Sequence, residues 1–499
     1  MDRVQTVGFW LGIFGFALGE LLFRGLGLIE GVAAGHVAAI TILMATWWIT
    51  EAVPIPVTSL LPVALFPLLG IDDFKGVALG YGNPFILLMM GGFFVSLALE
   101  RWHLHRRIAL SVISAIGTEP SRLVLGFLVA TAGLSLWISN TATALMMLPV
   151  ATAVIARLEA NSPGDPRLAP LATAVLLGVA WASSIGGLGT PIGTAPNVIF
   201  LSQYQKAFPD GATFSFLAWL VMALPLVVAM LGVAWWVLMG PVRRAARGLA
   251  PIEERHVIAS ERAALGPWTR GGRLVIGIFL CTVLLWIFRQ PITLGSLTVP
   301  GWADALGLGK RVDDSTVALL GALTLFIVSV AERPPGAPEN ESGPRHALLD
   351  WPTAESIPWG VLLLFGGGLA LAEGFQKSGL SDGIGHALAG LASLPPWALT
   401  ATLCLVVTFL TEVTSNTATC TLLMPILASL CKVKGLDPLQ VMLPGALTAS
   451  LGFMLPVGTP PNAIVFASGK IPIKVMARQG LVLNLVGVVL VTLAVQLLV

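Results

Sequence analysis

Runs of about 20 apolar residues constrain this chain more than any other feature, because each can cross roughly 30 Å of hydrocarbon as a helix. They lie near 8–29, 34–52, 57–71, 83–100, 169–190, 212–240, 272–290, 314–331, 357–374, 437–455 and 475–498. Backbone inside lipid must satisfy its own N–H and C=O groups, so such a set specifies helices. Hydrophobic residues make up 56% of the 499 and charged residues only 11%, too little polar surface to coat several soluble domains. The expected fold class is an all-α integral membrane protein with about eleven transmembrane helices. No basic block is interleaved with aromatics, so nucleic acid is not a partner. Cys281, Cys404, Cys420 and Cys431 show no metal-binding or disulfide spacing. Arg3 precedes the first span without a convincing cleavage site, so that span is expected to be retained.

Two further apolar stretches, 120–157 and 395–431, are interrupted midway by Ser139-Asn140-Thr141 and Ser415-Asn416-Thr417. These belong to an internal repeat. Gly91-Gly92 recurs as Gly367-Gly368, Leu104 as Leu380, and Ile138–Pro149 matches Thr414–Pro425 at six of twelve positions. A second block, Gly187, Pro191, Gly193-Thr194 and Pro196-Asn197, recurs as Gly452, Pro456, Gly458-Thr459 and Pro461-Asn462. The segment after the first Gly-Gly is basic (Arg101, Arg106, Arg107), whereas its copy is nearly neutral. Positive charge marks the cytoplasmic side, so the copies face opposite ways, the inverted repeat of secondary transporters. The loop from Gly240 to Arg273 carries Arg243, Arg244, Arg247, Arg255, Arg262, Arg270 and Arg273, which places it inside. The expected organisation is N-terminal spans 1–52, a first repeat 53–241 with hairpin 120–157, a cytoplasmic linker 242–271, and a second repeat 272–499 with hairpin 395–431. The N-terminus is expected in the cytoplasm and the C-terminus outside it, in the cell's inner (plasma) membrane.

Ser, Asn and Thr at the centre of an apolar hairpin survive only where protein or a water-filled cavity satisfies them. Re-entrant hairpins meet that need, and each tip exposes the N-terminus of its second helix, which attracts anions. Two inverted tips would hold a small-molecule dianion at both ends without Lys or Arg. Gly193-Thr194-Ala195-Pro196-Asn197 and Gly458-Thr459-Pro460-Pro461-Asn462 break helices and release carbonyls, hard ligands for a small alkali cation.

These hairpins and breaks, with Trp47-Trp48-Ile49-Thr50-Glu51-Ala52-Val53-Pro54-Ile55-Pro56, resemble the divalent anion:sodium symporter family, which includes INDY-type dicarboxylate carriers. The resemblance spans nearly the whole chain. It implies a homodimer in the lipid bilayer in which a transport domain moves past a scaffold as an elevator, with Na+ as coupling ion. It also implies substrate contacts at Asn140, Thr141, Asn416, Thr417, Thr459 and Pro460, beside Ser139 and Ser415 of the tips. One implied sodium site is Ser135, Ser139, Asn140 and Gly193, and the other Thr411, Thr414, Asn416 and Gly458. Ala195 stands where the family pattern usually has Pro, and Gly458 where some members have Ala.

Four rival readings remain. The first is anion exchange without sodium, and the second is proton coupling through Glu412, set against a capping role for that residue. The third is a channel. The fourth is an enzyme built on Gly379-Leu380-Ser381-Asp382-Gly383, which lacks the strand-turn-helix setting of a nucleophile elbow. No GxxxxGK motif is present, so transport must run on a gradient or by exchange. Succinate, malate and fumarate are the expected substrates, ahead of sulfate and citrate.

Overall fold

Helices form where the apolar runs predict them, and they stop where Pro, Gly or a capping side chain releases the backbone. The computed structural model describes residues 3–25, 31–117, 119–245, 263, 265–294, 297–309, 311–335, 345–387 and 394–498. Arg247, Arg255, Arg262 and most of the linker 242–271 lie outside the described residues, as do 26–29 of the first expected span.

Among the described residues, ten helices are long and apolar enough to cross a membrane: Arg3–Leu22, Val32–Thr50, Phe74–Arg101, Asn140–Asn161, Leu168–Gly187, Phe216–Ala245, Arg270–Ile287, Trp359–Ser378, Asn416–Lys434 and Ile473–Leu497. Three expected spans are shorter. The run 57–71 is two short helices, Ile55–Thr58 and Leu61–Leu68, because Pro56 and Pro62 each start a new turn. The run 314–331 is helical only over Asp314–Ile327, and 437–455 only over Pro438–Thr448. Among the described residues the strands form two small antiparallel ribbons, Ile292–Leu294 with Leu297–Val299 and Ser329–Val330 with His346–Ala347.

Each half repeats one order of elements: a span, a short arm helix, a hairpin and a broken helix. In the first half these are Pro84–Arg101, Leu104–Ile116, the hairpin Pro120–Ser135 with Asn140–Asn161, and the broken helix Leu168–Gly187 with Ala195–Ala207. In the second they are Trp359–Ser378, Leu380–Ala387, the hairpin Pro396–Thr411 with Asn416–Lys434, and the broken helix Pro438–Thr448 with Pro460–Phe466. The entry arms of the hairpins have 16 residues each, about 24 Å of helix, too short to reach the far side of the bilayer.

The inversion is visible in the cavities. One cavity is lined by Glu100, at the end of Pro84–Arg101, and by Ser356, Ile357 and Pro358, just before Trp359–Ser378. A second is lined by Asn83 and Pro84, at the start of the former helix, and by Glu373 and Lys377, at the end of the latter. The two equivalent spans therefore run antiparallel, with a cavity at each end.

The halves interlock. Ala195–Ala207 of the first broken helix packs on Asn416–Lys434 of the second hairpin, and Pro460–Phe466 packs reciprocally on Asn140–Asn161. Buried Trp181 donates its indole N–H to the Phe453 carbonyl at 3.2 Å, tying one broken helix to the other. In lipid such contacts are held by close packing and hydrogen bonds rather than by burial from water. The bulk of the buried residues belong to one cluster shared by both halves, and a smaller one gathers Val37, Trp48, Phe66 and Phe375 around the second arm.

Candidate functional site

At each hairpin tip the chain leaves one helix, runs through four residues and starts another. Ser139 is the N-cap of Asn140–Asn161 and accepts a hydrogen bond from the Ala142 N–H at 3.3 Å. Ser415 holds the equivalent position before Asn416–Lys434, without a side-chain capping bond. The Asn at the start of each exit helix is locked from behind. Ser135 Oγ lies 3.0 Å from Asn140 Oδ1 and 2.5 Å from the Ser183 carbonyl. In the other half Thr411 Oγ1 donates to Asn416 Oδ1 at 2.6 Å and approaches the Ala449 carbonyl at 2.8 Å. Ser135 and Thr411 are fully buried, whereas the Ser-Asn-Thr triplets are half-buried and face the cavity.

The breaks are built alike. Thr194 and Thr459 share an extended backbone, with φ −143° in both and ψ 148° and 150°. With Ala195 where the resembled pattern usually has Pro, Pro196 still occupies the first turn and the Thr194 backbone matches that of Thr459, although only Thr459 accepts a side-chain capping bond, from the Asn462 N–H. The Asn197 amide donates to the carbonyls of Gly187 at 3.0 Å and Thr190 at 2.8 Å. The Asn462 amide donates to those of Gly452 at 3.0 Å and Leu455 at 2.9 Å. Each Asn thus holds its break open by taking carbonyls that a continuous helix would have bonded to its own N–H groups. Both stood in the repeated motif without an assigned role; a buried amide repeated beside released carbonyls was the signal that could have found them.

Backbone oxygens crowd each junction of tip and break. A Cβ on Gly193 would lie 2.5 Å from the Gly187 carbonyl and 3.0 Å from that of Ser135, and one on Gly187 would collide with Asn140 Oδ1. In the other half the carbonyls of Thr411 and Gly458 each come within 3.6 Å of a Cβ built on Gly452. These clusters are oxygen-only, and no group of three His, Cys, Asp or Glu residues is placed to hold a metal ion among the described residues. Such donors fit a hard monovalent cation rather than a transition metal.

Both junctions open on one cavity of about 950 Å³. It is lined by Ser139, Asn140, Thr141, Ser415, Asn416, Thr417, Thr459 and Pro460, so the eight residues expected to meet substrate share one space. Of the expected sodium ligands, Ser139, Asn140, Gly193, Thr414, Asn416 and Gly458 line it, while Ser135 and Thr411 sit behind it. Thr414 Oγ1 is 2.6 Å from Thr419 Oγ1 and donates to the Leu410 carbonyl at 2.7 Å. Among the described residues no Lys or Arg lines the cavity, and its two ionisable residues are acids, Glu51 and Glu100.

Glu412 does not line the cavity. Its carboxylate accepts from the backbone N–H groups of Phe453 at 2.7 Å, Met454 at 2.9 Å and Leu455 at 3.0 Å, and from the Asn484 amide at 2.6 Å. The backbone that Glu412 caps belongs to the neighbouring break, not to its own hairpin as the capping alternative expects. Asn484 escaped the sequence reading, although a polar residue within the last apolar span was its signal. Glu51 ends Val32–Thr50 in a left-handed conformation, φ 48°. Gly379 is a left-handed helix end between Trp359–Ser378 and Leu380–Ala387, so Ser381 follows a helix, not a strand.

The model of the sodium:sulfate symporter transmembrane region matches residues 27–498. The chain is 39% identical over 499 residues to the sodium-dependent dicarboxylate transporter SdcS of Staphylococcus saprophyticus, covering 99% of this chain and 91% of that protein. It is 40% identical over 495 residues to SdcS of Staphylococcus aureus, covering 98% and 90%. Its architecture is similar to that of the Alcanivorax borkumensis YdaH transporter, with a TM-score of 0.58 over 99% of both chains at 14% identity, a likeness of fold alone. With matches of this length over the same hairpins and breaks, the chain belongs to the sodium:sulfate symporter family, the divalent anion:sodium symporters that its motifs resemble.

Proposed function

We propose that this protein is a sodium-coupled symporter of divalent organic anions, with C4-dicarboxylates such as succinate, malate and fumarate as substrates. The observation that carries the reading is a cavity where two helix N-termini converge, with two acids and no basic side chain among its described lining. Partial positive charge at helix ends offsets only part of a dianion's charge. Cations bound at the two oxygen clusters supply the rest, which is why substrate and sodium must travel together and why exchange without sodium is the weaker reading. The relatives named sodium-dependent dicarboxylate transporters support both the ion and the substrate class.

In this mechanism sodium binds first at each junction, through Ser135, Ser139, Asn140 and Gly193 in one half and Thr411, Thr414, Asn416 and Gly458 in the other. This fixes Asn140 and Asn416, whose side chains also meet substrate. The dianion then spans the tips, with Thr141, Thr417, Thr459 and Pro460 completing its surroundings. Each ligand raises the affinity for the other by the same factor, as linkage requires.

Hairpins and broken helices move as one elevator body against the remaining spans, within a homodimer in the plasma membrane. Glu100, next to Arg101 on the side that the charge rule assigns to the cytoplasm, lines the cavity, which supports an inward-facing reading. The repeats run over 53–241 and 272–499, joined by the cytoplasmic linker 242–271, with the N-terminus inside and the C-terminus outside.

The test is uptake of radiolabelled succinate and of sulfate into proteoliposomes, with external sodium, with potassium, and with internal dianion. Saturable succinate uptake that needs sodium and no internal dianion is expected. Uptake that needs internal dianion and ignores sodium overturns symport, and sulfate outcompeting succinate overturns the substrate class.

A further inference from the structure

The two proposed sodium sites share an Asn and a Gly at equivalent positions, and beside them the repeat differs at a position that carries charge. Residue 412 is Glu, while its counterpart, 276 residues earlier, is Leu136. The Glu412 carboxylate is 3% exposed and clamped by three consecutive backbone N–H groups and an amide. It therefore stays where it is, and where it stays is beside a proposed ligand: a Cβ on Gly458 would lie 2.9 Å from Glu412 Oε2 and 3.3 Å from the Glu412 carbonyl. In the first half the Leu136 carbonyl takes the Thr190 hydroxyl, and the break closes through turns from Leu188 to Ile185 and from Gly189 to Gly186. No ionised group is supplied from that position.

We infer that Glu412 is a positioning residue that makes the two sodium sites unequal: its fixed negative charge beside Gly458 renders the second site the tighter one and the first to fill. The inference rests on the sodium-coupled reading above. Two properties of the clamp favour it. A full charge at this range in a low-dielectric interior acts strongly on a cation, whereas the first site has only neutral hydroxyl, amide and carbonyl oxygens. The same clamp also shapes residues 453–455, so that filling the second site follows from a preformed break rather than one that must order on binding.

The experiment is a sodium titration of the purified full-length protein in lipid nanodiscs, read as its melting temperature, with potassium holding ionic strength constant. Ligand binding to the folded state raises that temperature according to affinity. The unaltered protein is expected to respond in two phases at least tenfold apart in sodium. Asn416→Ala removes the low-concentration phase and Asn140→Ala the high-concentration one. Glu412→Gln moves the low-concentration phase upward at least tenfold, and saturating sodium restores succinate affinity to within about threefold, a recovery that a merely structural role would not give. The inference is overturned if Glu412→Gln leaves the first phase within twofold, or if Asn140→Ala rather than Asn416→Ala removes it. Should Glu412→Gln not survive purification, the pair of Asn variants decides alone. No response to sodium in the unaltered protein overturns the symport reading itself, and this one with it.

Discussion

The chemistry of the site depends on side chains that are small or neutral. Gly187 and Gly193 let carbonyl and amide oxygens approach closely enough to form a cluster, and a methyl group at either position enters that space. Gly187→Ala is expected to displace Asn140 and to cut sodium-dependent succinate uptake at least tenfold at fixed sodium, with expression and membrane insertion retained; quantitative uptake beside a surface-expression measurement checks it. Asn197 and Asn462 carry the opposite burden, their amides holding three and two carbonyls in a fully buried setting. Removing one amide strands buried acceptors, which costs about 1–3 kcal/mol per site. Asn462→Ala should therefore melt several degrees below the unaltered protein even in potassium, whereas Asn416→Ala, which faces the cavity, should melt close to the unaltered protein there. The Gly and Asn positions were readable in the sequence because they repeat. The roles of Ser183 and Ala449 were not, since each contributes only a carbonyl, and every residue has one.

Hairpins and breaks are the elements in which these residues become a site. A polar triplet midway along an apolar run forces the chain to turn there, and the Ser before each Asn then starts the second helix. That much followed from the order of residue types. If both tips share one ligand, Asn140→Ala and Asn416→Ala each weaken succinate affinity and sodium dependence together, which a matrix of succinate and sodium concentrations in the uptake assay would reveal. Independent loss of one property in either variant contradicts a shared cavity. The spans were less legible. Helix 57–71 fell into two pieces at its prolines, and 437–455 stopped at Thr448 because Glu412, 36 residues upstream of that point, bonds the N–H groups that the helix would have used. A long-range contact ended an element that hydropathy alone extends.

At the scale of the whole molecule, the cavity holding the tips lies at one end of two antiparallel spans, and a second cavity of about 590 Å³ lies at the other. Lys206, in the last turn of Ala195–Ala207, forms an ion pair with Glu373 on Trp359–Ser378 in that second cavity, and Gln203 donates to the Gly368 carbonyl at 3.3 Å. An elevator movement must break both contacts. Lys206→Cys with Glu373→Cys, cross-linked by oxidation, should hold the two elements in this arrangement and abolish uptake, and reduction should restore it. Undiminished uptake by the cross-linked protein rules out movement between these two elements.

Sequence by itself determined that this chain spans a membrane, where its hairpins turn, that its halves are inverted copies, and which family it resembles. Those properties are written in hydropathy, in charge asymmetry and in repeated motifs, all of which act locally or by simple comparison along the chain. Only the tertiary structure decided that each broken helix leans on the other half's hairpin, that both junctions open on one cavity, and that Glu412 braces a break it does not belong to. The reason is physical: in lipid, apolar surface is no guide to partners, so packing and a few buried hydrogen bonds between distant residues select the arrangement, and neither leaves a periodic trace in the order of amino acids.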